Sequence, residues 1–521
     1  MQMKRSICYK TILFVILFCI PGSISFNQTR KEAKGEFPGK ADMYKSKRNA
    51  LEYLQDSLTI RKFGLISDSI WSFAELGMQE FRSSAILIRT LEDEGFSIER
   101  NVAGMPTCFV ATWGEGKPVI GILGEYDALP LLSQKALIPT QEPLAEGAPG
   151  HGCGHNMMGT AGIAAAIAVK RSMEANRIAG TVRFFGSPAE ETLISRPYMV
   201  REGVFKDVDA VIDNHASSNL TTGYGVNGTA VLSVIFTFRG RTSHAAAAPW
   251  SGRSALDAVE LMNVAANYLR EHLERTSSLH YIITEAGQAP NIVPDRASVW
   301  YYIRNTDDRL EDMFRRVVDC ARGAALASGT TLDSVTVISG IHQKHANKGL
   351  AEAIQGNIEL IGLPEWTAGE NTFAKSLQKG LGSKEVGFPV KLSPFERPSG
   401  IETGGASTDV GDVSLIAPTA TLNFPGLVPG ITGHHWSTVA CSFGTASWKG
   451  LITGAEVMAA TTIDLLTKPE LLDAVRAEFE DYSKSHPYKS FLPEGNIPPL
   501  DLNRELMEKY LGAPLKHSIP E

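Results

Sequence analysis

Three short, largely apolar runs, each broken off by a polar cluster, constrain this chain more than any other feature. Val119-Ile120-Gly121-Ile122-Leu123 ends in Gly124-Glu125-Tyr126-Asp127, and Thr181-Val182-Arg183-Phe184-Phe185 ends in Gly186-Ser187-Pro188-Ala189-Glu190-Glu191. Val208-Asp209-Ala210-Val211-Ile212 ends in Asp213-Asn214-His215. Runs of this length and composition read as strands buried on both faces, as in parallel sheets covered by helices. Residues 159–169, rich in Gly and Ala, lie between the first two and predict a helix that packs closely on the sheet. The alternation predicts an α/β catalytic domain with a central, mostly parallel sheet. Ligands of such sheets gather at the carboxyl ends of the strands, where all three polar clusters fall.

The pattern changes after residue 225. Strands are expected over 231–238, 279–284, 297–304 and 331–339, with amphipathic helices over 254–273 and 310–327. The order βαββαβ is that of a ferredoxin-like α+β unit. It predicts a separate domain over residues 226–345, inserted between catalytic segments 45–225 and 346–470. Residues 471–521, rich in proline and charge, read as a tail packed along the surface.

The polar clusters carry the chemistry. His151-Gly152-Cys153-Gly154-His155-Asn156 sets a thiolate and an imidazole two residues apart among glycines, so that both can reach one metal. Glu191 and His215 end neighbouring strands, and His434-His435 follows the last apolar strand. Any one of these histidines alone is more often a structural hydrogen-bonder than a ligand. Their convergence with Cys153, His155 and Glu191 reverses that preference. Five ligands exceed the three that a single tetrahedral catalytic metal uses, so two divalent ions about 3.5–4 Å apart are expected. The thiolate favours Zn, while His and carboxylate suit Mn as well.

Neighbouring side chains at a strand end diverge. Glu190 is therefore read as the general base and Glu191 as a ligand, with two solvated carboxylates as the alternative. Asp127 is expected behind the ligands, hydrogen-bonded to an imidazole; Glu125 fits a salt bridge equally well. In the inserted domain, His244, Asn291 (between prolines) and Arg304 can together hold a substrate carboxylate, with Arg as bidentate partner. Ordinary surface polar groups are the alternative there.

A net charge of −7 without a Lys/Arg run gives no support to nucleic-acid binding, and no nucleic-acid partner is expected. Lys4 and Arg5, the apolar stretch 11–20, the break at Pro21-Gly22 and the small residues Ser23-Ile24-Ser25 predict a secretory signal over residues 1–25. The stretch is short for a membrane span, which needs roughly 20 apolar residues; an uncleaved anchor is the alternative. A secreted or periplasmic protein, free of the membrane after cleavage, is expected. The four cysteines beyond it (Cys108, Cys153, Cys320 and Cys441) are too few and too scattered for a disulfide scaffold.

These residues resemble the co-catalytic metallopeptidases and amidohydrolases that include aminoacylases, carboxypeptidase G-type enzymes and auxin-conjugate amidohydrolases. The matching stretches are 124–130, 151–156, 188–191, 243–249 continuing into 252–259, 289–294 and Thr408-Asp409-Val410-Gly411-Asp412-Val413, within residues 45–470. The auxin-conjugate branch has Asp where this chain has Asn156, which places the chain nearer the p-aminobenzoyl-glutamate branch. The resemblance implies a smaller lid or dimerisation domain beside the catalytic one. It implies metal binding by Cys153, His155, Glu191, His215 and a C-terminal histidine. His434 fits that last place, with His435 in the polar slot before an aromatic residue. Glu190 would be the base, His244 would stabilise the oxyanion across a dimer interface, and Asn291 and Arg304 would hold the substrate carboxylate. A homodimer, or pairing with an A-type subunit, is implied as well. Better-known members of the branch are cytosolic, so the signal points away from an intracellular folate fragment as the physiological substrate. The expected activity is metal-dependent hydrolysis of a small-molecule amide, an N-acyl, N-aroyl or N-aminoacyl amino acid. A dipeptidase of the same mechanism and a non-catalytic binding protein are the alternatives.

Overall fold

A computed structural model describes residues 40–395 and 406–510, with side chains from Ser46 onward. The expected signal at 1–25 lies outside the described residues. The three apolar runs form β3 (Val119–Glu125), β4 (Gly180–Ser187) and β5 (Ala210–Ser217), following β1 (Ser97–Arg100) and β2 (Phe109–Glu115). Next come β6 (Thr221–Thr222), β7 (Gly225–Asn227), β8 (Ala230–Arg239), β9 (Ser278–Glu285) and β10 (Arg296–Asn305). The last are β11 (Thr331–Ile341), β12 (Lys344–Ala346) and β13 (Thr419–Pro425).

The first sheet has seven strands in the order β1-β2-β4-β3-β5-β13-β6. Its heart is parallel, with β3 against β4 and β5, and β13 against β5. The edges β1, β2 and β6 are antiparallel. β5 runs further than its apolar run suggests, because β13 supplies a parallel partner as far as Pro425. His215 consequently sits within a strand, opposite Asn423.

Helix His155–Asn176 is buried along almost its whole length. Its glycines are what let it lie on the sheet. A Cβ on Gly162 would meet the Phe184 ring at 2.6 Å, and one on Gly159 would meet the Glu125 carbonyl oxygen at 2.7 Å.

β8 to β11 form a separate antiparallel sheet in the order β11-β8-β10-β9. Helices Ala255–Leu269 and Asp307–Ser328 pack on it around Phe236, Val299, Met262 and Val317, a core distinct from that of the first sheet. The fold is thus α/β with an inserted ferredoxin-like α+β unit.

The C-terminal stretch expected as a tail is more ordered than its composition suggests. Pro469 opens helix Pro469–Ser485, at a position where proline's missing N–H costs nothing. That helix buries Leu472 and Val475. Further on, the Asn496 side chain donates to Val337 O on β11 and to the Tyr198 hydroxyl, at 2.9 and 3.0 Å. The stretch therefore braces the second sheet against helix Ser195–Arg201, which carries Tyr198.

Candidate metal centre

Asp127, just beyond the end of β3, organises the site. Its Oδ1 accepts from His155 Nδ1 at 2.8 Å and its Oδ2 from the Glu191 backbone N–H at 3.0 Å. With the proton held on Nδ1, the His155 Nε2 lone pair is left facing the carboxylates of Glu125, Glu190 and Glu191, at 3.3, 3.8 and 3.8 Å. Gly154, at φ 87°, adopts the left-handed turn that starts the helix at His155 and sets Cys153 beside it. Cys153 Sγ lies 3.4 Å from His215 Nε2, and His215 Nδ1 donates to Ala216 O at 2.7 Å. A second imidazole therefore offers Nε2.

Glu190 and Glu191 share a single 3-10 turn, Glu190–Thr192, entered through Ala189 at φ 55°. This corrects the expectation that a strand end would splay them. Both carboxylates come within 3.8 Å of His155 Nε2. Glu191 Oε2 also lies 3.2 Å from His434 Nε2. The His434-His435 doublet resolves in the same loop. The His434 backbone N–H donates to Gly152 O, whereas His435 turns to cap helix Trp436–Cys441 through Ser437.

Three groups of ligand atoms lie within 4.8 Å of one another: Cys153, His155 and His215; Cys153, Glu191 and His434; and Glu125, His155 and Glu190. Their chemistry fits cations. His155 Nε2, Glu191 Oε1 and Glu125 Oε2 are buried without a hydrogen-bond partner among the described residues. Burial and neighbouring carboxylates push Glu190 well above the usual carboxylate range, and burial pushes Glu191 up to about 8. Burial likewise pushes the Cys153 thiol up to about 12. A site that so penalises its own anions gains most from divalent ions, which deprotonate a coordinating thiol and bind carboxylates.

Two buried residues behind the cluster carry no sequence motif. Arg196, wholly buried, spans Glu125 and Asp409 through one nitrogen. Glu80 accepts from the Ala189 N–H at 2.7 Å and from Thr107, fixing the strained turn. His151 is structural: its Nε2 meets Ile70 O at 3.0 Å, and burial lowers it to about 3. Asn156 donates to Ser67 Oγ and Ser442 O, away from the cluster.

The cluster opens into a cavity of about 760 Å³ that also reaches Arg304 and Lys344. Arg304 donates to Ser407 Oγ at 2.6 Å. His244 and Asn291 are not brought there by this chain. β8 and β10 pair with Arg304 opposite Val231 at one end and Arg296 opposite Arg239 at the other. His244 and Asn291 lie beyond that other end, a ten-residue strand or roughly 30 Å away. There His244 is exposed, its Nδ1 accepting from the Ala246 and Ala247 N–H groups.

The model of peptidase family M20/M25/M40 matches residues 121–509. This chain belongs to that family. The B-type subunit of the p-aminobenzoyl-glutamate hydrolase of Escherichia coli is 36% identical over 460 residues, covering 83% of this chain and 95% of its own length. A mouse Xaa-Arg dipeptidase is 29% identical over 454 residues, 84% of this chain and 93% of its own. In fold, an aminobenzoyl-glutamate utilization protein of Klebsiella pneumoniae superposes with a TM-score of 0.54 at 15% identity, covering 82% of this chain and 99% of that one. A Bacillus subtilis protein described as a dinuclear metal binding peptidase of the M20 family superposes with a TM-score of 0.50 at 18% identity, covering 79% and 99%. This M20 chain is a metal-dependent hydrolase of amide bonds.

Proposed function

We propose that this M20 enzyme cleaves the amide bond between an acyl, aroyl or aminoacyl group and an amino acid, with p-aminobenzoyl-glutamate-like compounds as the first substrates to test. The observation that carries the reading is the cluster itself, five side chains able to ligate a metal at the edge of the cavity, with one further buried carboxylate, Glu190, against them. Cys153, His155, Glu191, His215 and His434 would hold two divalent ions, Mn or Zn. Such ions would polarise the scissile carbonyl and lower the pKa of a water towards about 7.

The chain's own residues do the rest. Glu190 takes the proton of the attacking water and passes it to the leaving nitrogen. Asp127 keeps His155 in one tautomer throughout. Arg304 fixes the substrate carboxylate. His244, from a second copy whose inserted domain reaches the cavity, donates to the developing oxyanion, and Asn291 helps seat the carboxylate. A homodimer is therefore part of the reading. The domain limits 45–225, 226–345 and 346–470 and a secreted or periplasmic location after signal cleavage belong to it as well. An A-type partner is the other assembly to examine, since the A-type component of the Escherichia coli hydrolase is also similar, 25% identical over 310 residues.

The test is turnover of a panel of aroyl-glutamates, acyl amino acids and dipeptides by metal-loaded protein, with Glu190→Gln alongside. Glu190→Gln is expected to keep its metal and lose at least about 100-fold in kcat. Wild-type turnover by that variant would overturn the base assignment. Preference for dipeptides would favour the dipeptidase reading, and stoichiometric metal without turnover of any amide would favour a binding protein.

A further inference from the structure

The cavity beside the ligand cluster is also lined by a lysine that no metal-site motif requires. Lys344 stands on β12 opposite Asn227 of β7, and both line the cavity. Its ammonium donates to Thr421 Oγ1 at 2.7 Å, and Thr421 donates in turn to Asp213 Oδ2 at 2.7 Å. The Asp213 carboxylate lies 3.9 Å from the ammonium, beyond hydrogen-bond distance. Lys344 thus keeps its remaining N–H directions for another acceptor, and its side chain is 15% exposed.

Strand register relates this lysine to the metal site. Thr421 pairs with Asp213, and two residues further along Asn423 pairs with His215. Alternate residues share a face, so these two pairs are about 7 Å apart on one side of the sheet. Lys344 therefore sits one strand step back from a candidate ligand, in the same cavity as Arg304. An amino acid released from an amide has an α-carboxylate, which the proposed function gives to Arg304. A second, side-chain carboxylate would need a second cation within the reach of a few bonds.

The geometry points to Lys344 as the residue that selects an acidic leaving amino acid, by pairing with its side-chain carboxylate while Arg304 holds the α-carboxylate. This rests on the amidohydrolase reading above. A carboxylate there gains a charge-assisted hydrogen bond. A basic side chain would meet a like charge, which works against the binding of wrong partners. The two relatives, named for a glutamate conjugate and for Xaa-Arg, differ in the side-chain charge this position would read.

The experiment compares N-benzoyl-Glu, N-benzoyl-Gln and N-benzoyl-Arg on the metal-loaded full chain, as wild type, Lys344→Met, Lys344→Gln and Lys344→Arg. Wild type is expected to prefer Glu over Gln. Lys344→Met and Lys344→Gln should lose about 10- to 100-fold in kcat/KM for Glu, mostly through KM. Their rate on Gln should stay within about threefold of wild type, and Lys344→Arg should keep the Glu preference. A merely structural lysine would lower both substrates together. Equal loss on Glu and Gln, or no discrimination by wild type, overturns the proposal. If wild type hydrolyses none of these amides, the hydrolase reading fails by itself. The lysine is then judged by calorimetric binding of free glutamate and glutamine, and equal glutamate affinity in wild type and Lys344→Met overturns it.

Discussion

Replacing Asp127 by Asn changes one atom of a buried side chain, yet it should disable the site. Asp127 has no exposed side-chain surface. Burial raises its pKa, but the His155 imidazole and the backbone N–H donors, Glu191 among them, together more than offset this and the net shift is downward. Its two oxygens serve two donors, His155 Nδ1 at 2.8 Å and the Glu191 N–H at 3.0 Å. An asparagine has one acceptor oxygen, so one of these donors must face an NH₂ group. If the amide nitrogen faces Glu191, the turn that aims the glutamate pair loses its anchor. If it faces His155, the ring must accept on Nδ1 and carry its proton on Nε2, the atom needed for a metal. Losing one hydrogen bond to a charged group costs about 1.5–3 kcal/mol, a factor of roughly 10 to 150. That range overlaps the 10- to 100-fold typical of partners behind metal ligands. Metal affinity by competition with a chelating dye, and kcat/KM on an aroyl-glutamate, should each fall by about that factor, with the melting transition checked for folding. Folded Asp127→Asn with metal affinity and turnover within twofold of wild type would refute the assignment of Asp127 as the tautomer-setting residue.

Arg196→Met should destabilise the protein by about 3–5 kcal/mol in denaturant unfolding, because it strands the carboxylates of Glu125 and Asp409 in a dry interior. Adding Glu125→Gln and Asp409→Asn should restore most of that stability, and failure to do so would assign the loss to packing rather than charge. Asp68 offers a pH test away from the metal site. Burial raises it from 3.8 to about 7, with the Gly444 N–H on its Oδ1. The folded state therefore binds the extra proton between these values, and the contribution of Asp68 to stability falls as pH rises from about 4 to 7 and is level above. The fall is roughly 4 kcal/mol at most. Asp68→Asn should match wild type near pH 4 and exceed it at pH 8, and parallel pH profiles of unfolding would refute this.

How much of this was legible in the sequence depended on distance along the chain. The apolar runs became β3, β4 and β5, and the ββ and βα order of the inserted unit could be read because each element carries its own period. The end of β5 could not, since the residues that extend it belong to β13, two hundred positions later. Likewise the doublet His434-His435 offers two equal imidazoles in sequence. The Gly152 carbonyl, the Glu191 carboxylate and the Ser437 cap distinguish them in space. The Glu190-Glu191 pair announced itself, but its 3-10 turn depends on Glu80, which no motif marks.

The same rule separates chemistry from specificity. Candidate ligands such as Cys153 and His155 must lie close in space, and the simplest way to achieve that is closeness in sequence, so they appear as motifs. A specificity wall has no such economy. Lys344, Thr421, Asp213 and Arg304 come from four strands of three sheets, each residue unremarkable where it stands. On the proposal above, substitution at any one of them would leave the metal motifs untouched while altering what the cavity accepts. Members of the family that share every ligand can therefore differ in substrate, and motif matching alone assigns the bond broken but not the side chain beside it.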